Sequence, residues 1–138
     1  MRIVLAINVL LISIPIKSPY RHIFDCIKSG KIALLVSNEI LTEYEEKIGE
    51  KSLPEIAQNV VRLLLNLPNT EKTEVYYRWN LIVKDPDDDK YSDCAVAGNA
   101  EYLVSDDSDF RVLKRIEFPR IQLLTSDEFL AILLQKES

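Results

Sequence analysis

Histidine is nearly missing from this chain: His22 is the only one among 138 residues. That argues against a histidine-rich metal centre and against a Ser-His-Asp triad. Beside Tyr20 and Arg21 on a helical stretch, His22 reads as a surface or hydrogen-bonded histidine. Cysteine is scarce as well. Cys26 and Cys94 lie far apart with no ligand pattern around them, so they build no disulfide framework and read as reduced, mostly buried thiols of a cytoplasmic protein. No apolar run is long enough for a membrane span. MRIVLAINVLLISIPI falls short of the ~20 residues required, Asn8 interrupts it, and no A-x-A-like cleavage site follows. It reads as a buried first strand and not as a secretory leader. Repeats, linkers and low-complexity tracts are also missing, so one domain is expected over residues 1–138.

What the chain has in excess is aspartate in one place. From Asp85 to Phe110 stand eight aspartates and one glutamate against a single lysine, a formal charge of −8. The whole chain carries −5, which leaves +3 on the rest. Crowded carboxylates are unfavourable unless they are solvated, cap helices or share cations. Asp85 to Asp89 read as a turn and helix start, where acids suit the helix dipole. Asp93 sits a turn inside that helix, and Asp106, Asp107 and Asp109 directly follow the strand-like run AEYLV.

Around this focus the apolar pattern alternates between short runs and helical faces. Arg2–Leu5, Ile32–Val36, Tyr102–Val104 and Ile121–Leu124 read as short strands. Ser18 and Pro19 open a helix that ends at Gly30, and Ser37 or Asn38 caps one with Ile40, Leu41, Tyr44 and Ile48 inward. Capping boxes are read at Ser52-x-x-Glu55 and Thr125-x-x-Glu128; the last helix should turn Phe129, Leu130, Leu133 and Leu134 inward. Thr73–Val83 alternates with period two and is expected as an extended edge strand whose aromatics pack on one side. Its YYRW core also has the composition of a base-stacking surface. Strands alternating with helices imply an α/β fold, a three-layer α/β/α sandwich with a parallel sheet of four to five strands.

In such sheets, sites form outside the carboxyl ends of the strands. Those ends carry Ala6–Ile7–Asn8, Glu43 on the helix after the second strand, and the acids after Val104. Carboxylates without His or Cys suit Mg²⁺ or Mn²⁺. An EF-hand reading of DPDDDKYSD fails, because Lys90 stands where Gly is needed and Val96 where the closing Glu belongs. A phosphate-accepting receiver domain fails too, since the first strand does not end in adjacent acids.

The segments VLAINVLL, LLVSNEILTEYEEKI, KDPDDDKYSDCAVAGNAEYLVSDDSDF and TSDEFLAILL, in that order, resemble the PIN-domain family over essentially the whole chain. The resemblance is to its branch of toxins from toxin–antitoxin systems. It implies a cytoplasmic, divalent-metal endoribonuclease using Mg²⁺ or Mn²⁺, with an RNA substrate, an antitoxin protein as partner, no membrane, and room for a homodimer. By position Glu43, Asp93 and Asp107 match the family's acids, Asp109 flanks them, and Asn8 matches the polar residue after the first acid. One departure stands out. The family's first strand ends in Asp-Thr-Asn, where this chain has Ala6-Ile7-Asn8. Two functional expectations follow, a PIN-type ribonuclease and a non-catalytic PIN-fold module that binds a partner protein or RNA.

Overall fold

Short runs of Val, Ile and Leu with no polar face suit strands buried on both sides. The computed structural model, which describes residues 1–137, has five strands: β1 (Arg2–Leu5), β2 (Ala33–Val36), the polar edge strand β3 (Thr70–Lys72), β4 (Tyr102–Val104) and β5 (Leu123–Leu124). All pair in parallel in the order β3-β2-β1-β4-β5. Ile3, Val4 and Leu5 are all fully buried. Successive strand residues face opposite sides, so both faces of β1 are covered, as a three-layer sandwich requires. The helices are α1 (Ile7–Ser13), α2 (Arg21–Lys28), α3 (Asn38–Lys51), α4 (Pro54–Asn66), α5 (Asp89–Ala97) and α6 (Ser126–Glu137).

Local signals explain most boundaries. Ser37 accepts the Ile40 N–H and starts α3, whose Ile40, Leu41, Tyr44 and Ile48 are buried. Thr125 and Glu128 exchange hydrogen bonds at the head of α6, 2.9 and 3.2 Å, the reciprocal box read from sequence. Gly30 closes α2 at φ 86°, a conformation only glycine adopts without strain.

Four expectations need correction. Ser52 does not cap α4: its hydroxyl donates back to the Ile48 carbonyl, 2.6 Å, and Leu53 occupies the cap. In α6, Leu134 faces outward at 52% exposure while Phe129 and Leu133 are buried. A helix that the apolar pattern conceals, α1, begins directly after Ala6, so Ile7 does not extend the first strand. Thr73–Val83 forms no strand; β3 precedes it. There the Trp79 and Ile82 N–H groups donate to the Asp93 and Asp89 carboxylates, 3.0 and 2.8 Å, instead of to a neighbouring strand, and Asn80 adopts φ 53°. Ile82 is buried, while Tyr76 and Tyr77 are exposed and Trp79 packs edge-on between Tyr77 and Phe118.

The close approach of α5 to β2 depends on one residue. A Cβ on Gly98, which caps α5, would lie 2.2 Å from the Leu35 Cδ2 methyl, and Leu35 is fully buried. Overpacking of this kind costs about 1–3 kcal/mol. Chemical denaturation should show Gly98→Ala destabilised by that amount. Leu35→Ala in the same chain should recover part of the loss; strictly additive costs would contradict the contact.

Candidate functional site

The tips of β1 and β4 are in register, Leu5 opposite Val104, and the Ala6 N–H donates to the Val104 carbonyl, 2.9 Å. The chains that leave these tips are tied together by polar groups. Asn8 donates to the Ser105 hydroxyl, 3.2 Å, and accepts the Asp106 N–H, 3.0 Å. The same hydroxyl accepts the Asp107 N–H, 3.2 Å. Asn8 thus fixes the loop that carries the acids after β4. Asp106 turns away from the others and holds the start of α6 through the N–H and hydroxyl of Ser126, 2.7 and 2.8 Å.

Asp107 and Asp109 converge with two acids from before α5. Oxygens of Asp85, Asp88, Asp107 and Asp109 lie within 4.8 Å of one another, all half-buried. Asp85 opens a 3-10 turn, Pro86–Asp88, by accepting the Asp87 N–H, 3.2 Å. The turn brings Asp88 back over this cap, its N–H donating to the Asp85 carbonyl, 3.0 Å. Asp107 opens the 3-10 helix Ser108–Arg115 in the same way, accepting the Asp109 N–H at 2.9 Å. One Asp88 oxygen, Oδ2, is buried with no hydrogen-bond partner among the described residues. Burial, then Asp85, Asp107 and Glu43, push the Asp88 carboxyl up to about 7, with Lys90 opposing. An all-oxygen, anionic donor set with an orphaned buried oxygen fits a hard divalent cation.

Glu43 stands beside this group, already engaged. It accepts a short hydrogen bond from the Tyr91 hydroxyl and pairs with Lys90 Nζ at 3.3 Å. Both side chains of that ion pair are mostly buried, 13% and 19% exposed. The Tyr91 hydroxyl in turn accepts the Ile7 N–H, 3.2 Å, the first orphan donor of α1. Asp93 is not a member of the four-carboxylate group. Five residues along a helix is about 140° around its axis from Asp88, and Asp93 faces the Thr73–Val83 segment instead. It is buried, its Oδ2 lacks a partner among the described residues, and burial raises its pKa.

Asp85, Asp88, Lys90 and Tyr91 thus join the candidate site, and nothing in the sequence singles them out for it. The Asp-x-x-Asp spacing does not, because acids before a helix are so ordinary. Next to Asp109 lies a cleft of about 470 Å³ bordered by Lys84, Arg111 and Arg115. Lys84 reaches Asp109 at 3.6 Å. An acidic group flanked by three basic side chains suits an anionic polymer bridged by a cation.

A profile of the PIN domain matches residues 2–109. No curated protein matches the chain by sequence. Among solved structures, the fold is similar to a chain of VapBC2 from Rickettsia felis bound to a DNA fragment from their promoter. The TM-score is 0.61 at 19% identity, over 91% of this chain and 98% of that one.

The raised carboxyl of Asp88 has a pH signature. An unfolded aspartate titrates near ~3.9, the folded one near 7, so the folded state holds the proton more tightly. Its contribution is fully present below the unfolded value and is lost as pH rises through the folded one. In EDTA, the melting temperature should fall between about pH 4 and about pH 7, and Asp88→Asn should flatten that fall. Equal slopes in parent and variant would contradict the assignment.

Proposed function

This chain belongs to the PIN-domain family, and from that premise we propose that it is a divalent-cation-dependent endoribonuclease, the toxin half of a toxin–antitoxin pair. The observation that carries the reading is the convergence of Asp85, Asp88, Asp107 and Asp109 around one orphaned oxygen. These four would hold Mg²⁺ or Mn²⁺, with Glu43 at the margin, Asp93 behind on α5, and Asn8 positioning the loop. When bound, the cation supplies charge stabilisation on a phosphodiester and a water of lowered pKa. The chain's own groups do the rest. Lys84, Arg111 and Arg115 bind neighbouring RNA phosphates, and Asn8 and Ser105 keep Asp107 at the strand tip. Tyr91 and Lys90 orient Glu43.

The antitoxin, as partner protein, finds exposed apolar side chains on one side of α4, Leu53, Ile56 and Leu63. Among the described residues no helix is long and apolar enough to cross a membrane, and both cysteines are free thiols, in keeping with a cytoplasmic site of action.

A second reading, a non-catalytic PIN-fold module, is favoured by Ala6 at the strand tip and by the Lys90–Glu43 ion pair. Lys90 neutralises locally what a cation would otherwise neutralise. The two readings separate on single-stranded RNA. The ribonuclease reading predicts Mn²⁺-dependent, EDTA-sensitive cleavage by the parent, reduced about 100-fold by Asp107→Asn. The double change Ala6→Asp with Ile7→Thr should tighten Mn²⁺ binding and raise the rate, and Asp88→Asn should cancel that gain. Absence of cleavage by parent and double variant alike, with metal still bound, would establish the module.

A further inference from the structure

At the opposite end of the sheet, next to Met1 where β1 begins, three ligand-type side chains outside the acidic site converge. His22 and Cys26 are one turn apart on α2, and Glu137 comes from the last turn of α6. The His22 Nε2 lies 2.8 Å from Glu137 Oε1 and 3.5 Å from Cys26 Sγ, and Sγ lies 3.8 Å from the same Oε1. A cavity of about 570 Å³, bordered by Cys26, Lys31, Leu133 and Glu137, opens beside them.

Cys, His and Glu in contact could also be a nucleophile, a base and an orienting acid. The connectivity rejects that. In a triad the imidazole uses one nitrogen toward the nucleophile and the other toward the acid; here both contacts go to Nε2. Burial and the nearby Glu137 carboxylate raise the Cys26 thiol's pKa, the reverse of an activated nucleophile. Three ligand atoms of different kinds gathered within 3.8 Å of one another are instead what a metal site presents.

We propose that His22, Cys26 and Glu137 form a binding site for one borderline divalent cation of the zinc kind, pinning α2 to α6. Tetrahedral bonds of about 2.3 Å to sulfur and about 2.0–2.1 Å to nitrogen and oxygen place ligand atoms about 3.3–3.6 Å apart. The two separations from sulfur, 3.5 and 3.8 Å, are already near that. The nitrogen–oxygen pair at 2.8 Å must open by about half an ångström, as its hydrogen bond gives way to two metal bonds. The cavity leaves the fourth position to water. Lys31, now 3.2 Å from Glu137 and 59% exposed, is free to swing out. This donor set prefers zinc or cobalt, where the four-aspartate group prefers magnesium or manganese. The proposal therefore stands apart from the ribonuclease reading.

Cobalt(II) titration of freshly reduced, metal-free protein tests it. One equivalent should produce a near-ultraviolet thiolate-to-cobalt charge-transfer band, displaced by zinc. Cys26→Ser should abolish the band, and His22→Gln or Glu137→Gln should weaken binding at least about tenfold. Asp88→Asn should leave the band unchanged. His22 and Glu137 are each about one-third exposed, so their variants carry the test if Cys26→Ser fails to fold. Absence of the band would overturn the proposal, leaving a surface ion pair over a buried thiol. So would a band that persists in Cys26→Ser, or binding unaffected by both His22→Gln and Glu137→Gln.

Discussion

Repulsion among Asp85, Asp88, Asp107 and Asp109 is the constraint around which this end of the molecule is built. At 4.8 Å and an effective dielectric of ~20, two carboxylates repel by about 3.5 kcal/mol. The surroundings relieve this in three ways. Backbone N–H groups at the starts of two 3-10 segments bind Asp85 and Asp107. Lys84 and Lys90 bring positive charge. Asp88 keeps a proton to about pH 7. A fold that needed only stability would place apolar or neutral groups there, since replacing buried charge with well-packed side chains is often neutral or better.

The same economy explains how the first strand tip tolerates Ala6. Ala6 is the N-cap of α1 and makes no side-chain hydrogen bond to it. The Tyr91 hydroxyl binds the helix start from outside, accepting the Ile7 N–H and donating to Glu43. Burial beside Tyr44 and Glu43 raises the Tyr91 pKa far above the ordinary phenol, which keeps it a donor. One hydroxyl thus links the start of α1, Glu43 on α3 and α5. Asp106 shows the opposite use of an acid, committed wholly to the N–H and hydroxyl of Ser126.

The sheet was legible because buried parallel strands leave unbroken apolar runs, and Ile3–Leu5, Leu34–Val36 and Leu103–Val104 are such runs. The Thr125–Glu128 box was legible because both partners lie within four residues. What failed was what long-range geometry decides. Residues 73–83 alternate like a strand, but the buried carboxylates of Asp93 and Asp89 take the Trp79 and Ile82 N–H groups, and a period-two count cannot see that. Asp88 looked like a helix-start acid because that use is common, while Asp93 drew notice for its place inside the helix. Rotation about α5 separates the two. Asp107 and Asp109 were found because a run that reads as a strand directly precedes them.

Anomalous scattering from a crystal soaked in Mn²⁺ would test the central claim most directly, because it locates the cation without reference to activity. The account predicts one strong peak bonded to oxygens of Asp85, Asp88, Asp107 and Asp109, with Mn–O distances of about 2.1–2.2 Å. A crystal with no peak there, or with its peak centred on Asp93 and away from Asp88, would contradict it.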